Sequence, residues 1–148
     1  MGVVLSGFLI FAGFGSAYSG QLTQRVGQSG RSPVTIVVAG ISAIVVLYLI
    51  LLPILFQELI GLADGTKMLL SALLIAPLAF FMGMPFPIGL SRVADSAPDF
   101  IPWAWGINGF ASVMSASLAT LLAIAFGFTT VVLLALGLYA TAAAIIRD

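Results

Sequence analysis

The sequence predicts an all-α fold, a polytopic membrane bundle of five transmembrane helices, and three observations lead there. Of its 148 residues, 61% are hydrophobic and only 7% charged, whereas an average soluble domain carries roughly 25% charged residues. The apolar residues come in runs about 20 long rather than in periodic stripes. Every charged residue falls between or beyond those runs. Five Lys/Arg and five Asp/Glu cannot coat a soluble fold of this length. A charge at the centre of a bilayer is costly, by about 3 kcal/mol or more, so their placement suits a lipid solvent.

The elements follow in order. A first segment, 2–20, has no charge, and a polar link with Arg25 and Arg31 follows it. The second, 33–56, is rich in Val, Ile and Leu. In water such β-branched content would suggest a strand, but the run is too long. In lipid a helix satisfies its own backbone hydrogen bonds, so length decides for helix. A link holding Glu58, Asp64 and Lys67 leads to a third segment, 68–90. Arg92, Asp95 and Asp99 form the next link. The fourth segment, 102–126, opens with Pro102, whose missing N–H costs nothing in a first turn. Gly127 predicts a tight turn into the fifth, 128–146. At about 1.5 Å per residue, each crosses a hydrocarbon core of about 30 Å. Together they form a single transmembrane domain, 1–148.

Orientation follows from the basic residues. With the first link cytoplasmic, Arg25, Arg31, Arg92 and Arg147 all lie inside and Lys67 alone lies outside. Positive charge collects on the cytoplasmic side, so the N-terminus is expected outside and the C-terminus inside. An apolar first helix without a basic flank does not set that topology itself, so a preceding helix is expected. A cleavage site at Gly15-Ser16-Ala17 and an N-terminal myristoylation pattern over Met1–Ser6 are weaker readings.

Chemistry is narrowly bounded. With no cysteine there is no disulfide, thiolate site or thiol nucleophile. With no histidine, the commonest general base and transition-metal ligand are missing. Glu58, Asp64, Asp95, Asp99 and Asp148 are expected at interfaces, and no two are placed as an acid–base pair. No catalytic residue, cofactor or metal is expected in the chain. Zero formal net charge and the lack of a basic arm argue against nucleic acid as a partner. The expected partners are the lipid bilayer and, outside the chain, either a preceding helix with a soluble domain or a partner half.

Five local patterns remain. Pro85 and Pro87 break a helix, because neither supplies an N–H and both rings clash with the preceding turn. The carbonyls of Phe81 and Gly83 thus lose their usual donors, which reads either as a hinge or polar cavity or as a kink near the membrane edge. Pro77 is a single kink deeper in. Trp103 and Trp105 read as an aromatic belt at the cytoplasmic interface. Asn108 is strongly polar within a span and should hydrogen-bond across helices, a candidate cap for a carbonyl freed by Pro85 or Pro87. Small residues form stripes at helical spacing, Gly109, Ser112, Ala116, Ala119 and Ala123 in the fourth segment and Gly13, Ser16 or Ala17, and Gly20 in the first. Such stripes let helices approach closely.

The first link, Gly20-Gln21-Leu22-Thr23-Gln24-Arg25-Val26-Gly27-Gln28-Ser29, resembles the cytoplasmic loop motif of the major facilitator superfamily. Gly20, Leu22, Arg25 and Gly27 match in register. Gln24 stands where that family has aspartate, and Gln28 and Ser29 stand where it has a basic pair. The family's aspartate and arginine latch helix bundles during transport. The plainer reading of the residues is a helix-to-loop transition, with Gly20 allowing close packing and Arg25 among the headgroups. On this resemblance the five helices are the last five of a six-helix half-transporter.

A second resemblance spans about 13–139. Met82-Gly83-Met84-Pro85-Phe86-Pro87-Ile88-Gly89-Leu90, then Pro102-Trp103-Ala104-Trp105-Gly106-Ile107-Asn108-Gly109, then Ala125-Phe126-Gly127-Phe128 resemble the C-terminal membrane region of bacterial spermidine synthase-like proteins. Those multi-pass proteins are fused to a soluble aminopropyltransferase-like domain. Its glycine-rich loop and acidic substrate residues have no counterpart here. Gly13-Phe14-Gly15 is no dinucleotide loop, because Tyr18 occupies the third glycine position and no strand–helix unit surrounds it. The resemblance implies a bacterial inner-membrane module that anchors a cytoplasmic enzyme-like domain and takes part in handling its polyamine substrate or product. Two other readings stay open: half of a major-facilitator-like small-solute transporter, and a structural bundle that recruits other membrane proteins.

Overall fold

The structure, a computed structural model, describes residues 2–27, 32–59 and 64–146. All regular structure among them is helical: α1 (Gly2–Gly27), α2 (Pro33–Leu59), α3 (Asp64–Met82), α4 (Pro85–Ser96), a 3₁₀ turn (Pro98–Phe100), α5 (Ile101–Phe126) and α6 (Phe128–Ile145). Four stretches are long and apolar enough to cross a membrane: Pro33–Leu55, Gly65–Ser96, Pro98–Phe126 and Phe128–Ile145. The 26 residues of α1, with no charge before Arg25, make a fifth helix of membrane-crossing length. The chain is therefore an all-α, polytopic membrane protein, as the composition requires.

Element boundaries depart from expectation in three places, one being the second link, where Glu58 lies on α2 and Asp64 and Lys67 lie on α3. The helix expected to stop at Gly20 runs on to Gly27, so Gly20–Gly27 is helical rather than a link. Nothing between Gly20 and Gly27 obliges a helix to end, and the Thr23 hydroxyl bonds the Ser19 carbonyl at 2.9 Å within it. Gln28, Ser29, Arg31, Arg147 and Asp148 lie outside the described residues. The segment expected over 68–90 is two helices, broken at Gly83–Met84. Proline sets this break: Pro85 can begin a helix but cannot continue one. Arg92 and Asp95, expected in a link, lie on α4. At Gly127 the expected turn is present, with φ 85° and ψ 163°, a conformation open to glycine.

The chain divides into two compact units, residues 1–88 and 89–148. In the first, α3 packs against both α1 and α2. Its core is drawn from one face of α2, Val34, Val37, Val38 and Ile41, together with Ala79, Met84 and Ile88. The α2 positions recur every three or four residues, one helical stripe. The core is uneven along the helices. Val46, Leu47 and Ile50 of α2 and Met68, Leu69 and Leu73 of α3 are exposed.

Glycine sets the distance between α1 and α3. A Cβ on Gly15 would lie 1.9 Å from the Phe80 carbonyl oxygen, and one on Gly83 would lie 2.1 Å from the Ala12 carbonyl oxygen. Each glycine thus presents a Cα–H to the other segment's carbonyl, a weak hydrogen bond recurrent where helices touch, worth about 0.5–1 kcal/mol. Across the second interface, a Cβ on Gly40 of α2 would meet the Phe81 ring at 2.8 Å.

The second unit is built on the α5–α6 pair. No residue of α5 is buried, while Ala143 of α6 is. Hydroxyls along α5 close onto their own helix: Ser112 bonds the Asn108 carbonyl at 2.7 Å, and Thr120 the Ala116 carbonyl at 2.9 Å. This spares the lipid an unpaired hydroxyl without a partner helix.

The glycine contacts give a sharp expectation. Gly15→Ala must push α1 off α3 or strain the Phe80 turn, and should cost about 1–3 kcal/mol, the usual range for overpacking. Gly13→Ala, where a Cβ meets nothing within 4 Å, should leave stability unchanged or slightly raised. Unfolding in mixed micelles with increasing denaturing detergent reads both.

Candidate functional site

Two places in the first unit combine sequence signal with built structure. One is the α3–α4 break, and the other is the face of α1 that leads from it to Arg25.

At Pro85 the lost hydrogen bond is replaced by a change in backbone geometry. Pro85 cannot donate to the Phe81 carbonyl, and that carbonyl instead accepts from the Met84 N–H at 3.2 Å. The turn tightens from i+4 to i+3 there. The Gly83 N–H still reaches the Ala79 carbonyl at 3.0 Å, and the Ile88 N–H reaches the Met84 carbonyl at 3.2 Å, starting α4. Met84 is 1% exposed, Ala79 0% and Ile88 2%. Gly83 lies against the Ala12 backbone. The break is therefore packed as closely as the α2 stripe, a fixed kink. The Phe81 carbonyl, for which Asn108 was a candidate cap, already has its donor.

From the break a chain of contacts runs along α1. The Phe81 and Phe80 rings meet edge to face at 5.9 Å, and the Phe80 and Tyr18 rings lie 5.9 Å apart and tilted. The Arg25 guanidinium donates to the Tyr18 hydroxyl at 3.3 Å. Tyr18 and Arg25 are seven residues apart, two turns of one face. The motif arginine is thus directed back along its own helix toward the aromatic seam. Gly20 and Gly27 lie elsewhere: both are exposed, and a Cβ on either meets nothing within 4 Å. The expected role of Gly20 in close packing belongs to Gly15. The same holds for the Gly13, Ser16, Ala17 stripe, which is exposed. The packed face of α1 instead carries Phe11, Ala12, Gly15, Tyr18, Ser19 and Leu22.

In the second unit Trp103 and Trp105 stand near the start of α5, 69% and 57% exposed, where an interfacial belt would place them. Asn108 is exposed, and Gly109 has open space where a Cβ would be. The stripe from Gly109 to Ala116 is likewise exposed, with only Ala119 and Ala123 partly covered.

Sequence reasoning missed three polar features. The Tyr48 hydroxyl of α2 donates to the Leu74 carbonyl of α3. The Arg92 guanidinium donates to the Ile146 carbonyl at the end of α6. That carbonyl is one of the four a helix end leaves without intrahelical partners, and the helix dipole adds to its attraction for a cation. Proline at 77 could have pointed to the first; no local signal points to the second. At the start of α2 the buried Ser32 and Thr35 hydroxyls have no hydrogen-bond partner.

No group of three or more His, Cys, Asp or Glu that could hold a metal occurs among the described residues. No protein-family model, curated protein or solved structure matches the chain.

The Arg92 contact has a measurable consequence. Arg92→Gln should loosen the last turn of α6, costing about 1 kcal/mol locally, and amides of Ala142–Ile145 should exchange faster with deuterium. Arg92→Lys should keep part of the protection, since it retains the charge but not the planar fork.

Proposed function

We propose that the chain is the membrane module of a spermidine synthase-like protein, holding a cytoplasmic enzyme-like domain at the bilayer and taking part in the handling of its substrate or product. The observation that carries this reading is the distribution of polar groups around a fixed core. Among the described residues, the charged ones sit near helix ends or on the short α4 and the 3₁₀ turn: Arg25, Glu58, Asp64, Lys67, Arg92, Asp95 and Asp99. Ion- or proton-coupled transport uses ionisable groups at mid-membrane. The break at Gly83–Pro85, where a transporter would keep a moving joint, is clamped by backbone contact with α1. An anchor needs fixed packing and a defined topology; the clamped break supports the first and the bias of basic residues supports the second. The Met82–Leu90 and Pro102–Gly109 stretches that resemble the spermidine synthase-like proteins form the break and the start of α5.

In this reading the membrane is the bacterial inner membrane. The N-terminus of α1 lies outside and the C-terminal end of α6 lies in the cytoplasm, with a preceding helix and a soluble domain contributed by chain beyond these residues. Tyr18, Phe80 and Arg25 then lie toward the cytoplasmic half, where an attached enzyme domain would meet the membrane.

Two measurements test this. The native sequence has no cysteine, so single cysteines report topology cleanly. Exposed Gln24→Cys and Asp99→Cys should react with an impermeant maleimide only after permeabilisation, and Thr66→Cys in intact cells. Labelling of Gln24→Cys and Asp99→Cys from opposite faces would contradict the topology. Proteoliposomes holding the chain alone should take up radiolabelled spermidine no faster than protein-free vesicles. Uptake above that background would overturn the anchor reading in favour of the transporter half.

A further inference from the structure

α3 differs sharply in packing on the two sides of Pro77. On the C-terminal side Ala79 is fully buried, the Phe80 carbonyl is seated on Gly15, the Phe81 ring on Gly40, and Gly83 on the Ala12 carbonyl. The Gly15–Phe80 and Gly83–Ala12 contacts cannot lengthen without opening a backbone-to-backbone seam. On the N-terminal side Met68, Leu69 and Leu73 are 49%, 67% and 64% exposed. The contact there with α1 is an ordinary one, a Cβ on Gly7 falling 4.0 Å from that of Ala72.

Between the two halves the backbone ladder is weakened. Pro77 brings no N–H to the Leu73 carbonyl, and its ring crowds that turn. Sharp bends in helices occur at such points. One cross-helix hydrogen bond reaches this turn: the Tyr48 hydroxyl of α2 donates to the Leu74 carbonyl, next to the one proline leaves without its backbone donor. In lipid no water replaces a bond lost there, so its loss leaves the turn free to choose among bends.

We propose that Pro77 is a hinge in α3 and that the Tyr48 hydroxyl is the latch that holds it in one bend. The half of α3 beyond Asp64 swings about this point, while the half ending at Met82 stays fixed on α1 and α2. The motion is confined to the outer half in the topology proposed above, but the hinge itself rests on the packing contrast and not on that reading.

The test uses spin labels at Leu5→Cys and Leu69→Cys, both exposed positions, in the full chain in lipid nanodiscs. Double electron–electron resonance should give one narrow distance distribution with Tyr48 present. Tyr48→Phe should broaden it and shift it to longer distances. Combining Tyr48→Phe with Pro77→Ala, which restores the backbone donor, should return the narrow distribution. An unchanged distribution in Tyr48→Phe, or equal broadening in the Pro77→Ala background, would overturn the proposal. Deuterium exchange on the unsubstituted chain gives a second reading that needs no folded variant. Amides of Met68–Ala76 should exchange faster than those of Ala79–Met82, and equal protection of the two halves would overturn it.

Discussion

Direct contact between the backbones of α1 and α3 is the constraint on which the rest of the first unit depends. Lipid tails are as apolar as leucine, so in a bilayer no hydrophobic drive pulls two helices together. What remains is dispersion over close surfaces and hydrogen bonds across them, and both require approach. Gly15 and Gly83 permit it by presenting hydrogen where any other residue has carbon. With that distance fixed, Phe80 is carried against Tyr18, and Phe81 against Gly40 of α2. The stripe Val34, Val37, Val38 and Ile41 is buried in the same half of the unit. The tight core lies around these contacts, and the helices loosen away from them.

Lipid also dictates how the prolines are tolerated. A carbonyl deprived of its backbone donor must find another within the protein, because the hydrocarbon offers none. Two solutions appear on one helix pair. At Pro85 the backbone answers, tightening the turn so that Met84 serves the Phe81 carbonyl, and buried neighbours lock the result. Near Pro77 a side chain from the next helix adds a bond, the Tyr48 hydroxyl donating to the Leu74 carbonyl beside the one proline deprives. A backbone solution leaves no freedom, whereas a solution through one hydroxyl leaves the geometry dependent on that group. This difference separates a kink from a hinge.

Much of this architecture was legible in the sequence, and the exceptions have physical causes. The all-helical, polytopic character, the turn at Gly127, the start of α5 next to Pro102 and the break before Pro85 follow from run length and from what proline and glycine do to a backbone. The run-on of α1 through Gly27 was not legible, since polar residues such as Gln21 and Gln24 suit a helix as well as a loop at a membrane edge. The choice of Gly15 over Gly13 was hidden because Gly13, Gly15, Ser16 and Ala17 surround the helix with small residues, and only the partner decides which face is used. The motif residues split between surfaces, Gly20 and Gly27 on one exposed face of α1 and Arg25 on another, and of these Arg25 alone engages another described side chain. The bonds from Tyr48 and Arg92 join residues 26 and 54 positions apart; Pro77 marks the turn that the first reaches, but no local pattern names either donor.

Function enters through the same contrast between fixed and movable parts. On the function and topology proposed above, the tightly packed half of the first unit would serve as a platform for a soluble domain, and the proposed hinge would give that platform one moving element. All of it assumes that Gly15 and Phe80 truly touch in a bilayer. Magic-angle-spinning NMR of the uniformly ¹³C-labelled protein in lipid bilayers tests this directly. The account predicts a strong cross-peak between the Gly15 Cα and the Phe80 carbonyl carbon at short mixing time; its absence, with sequential peaks of both residues present, would contradict the account.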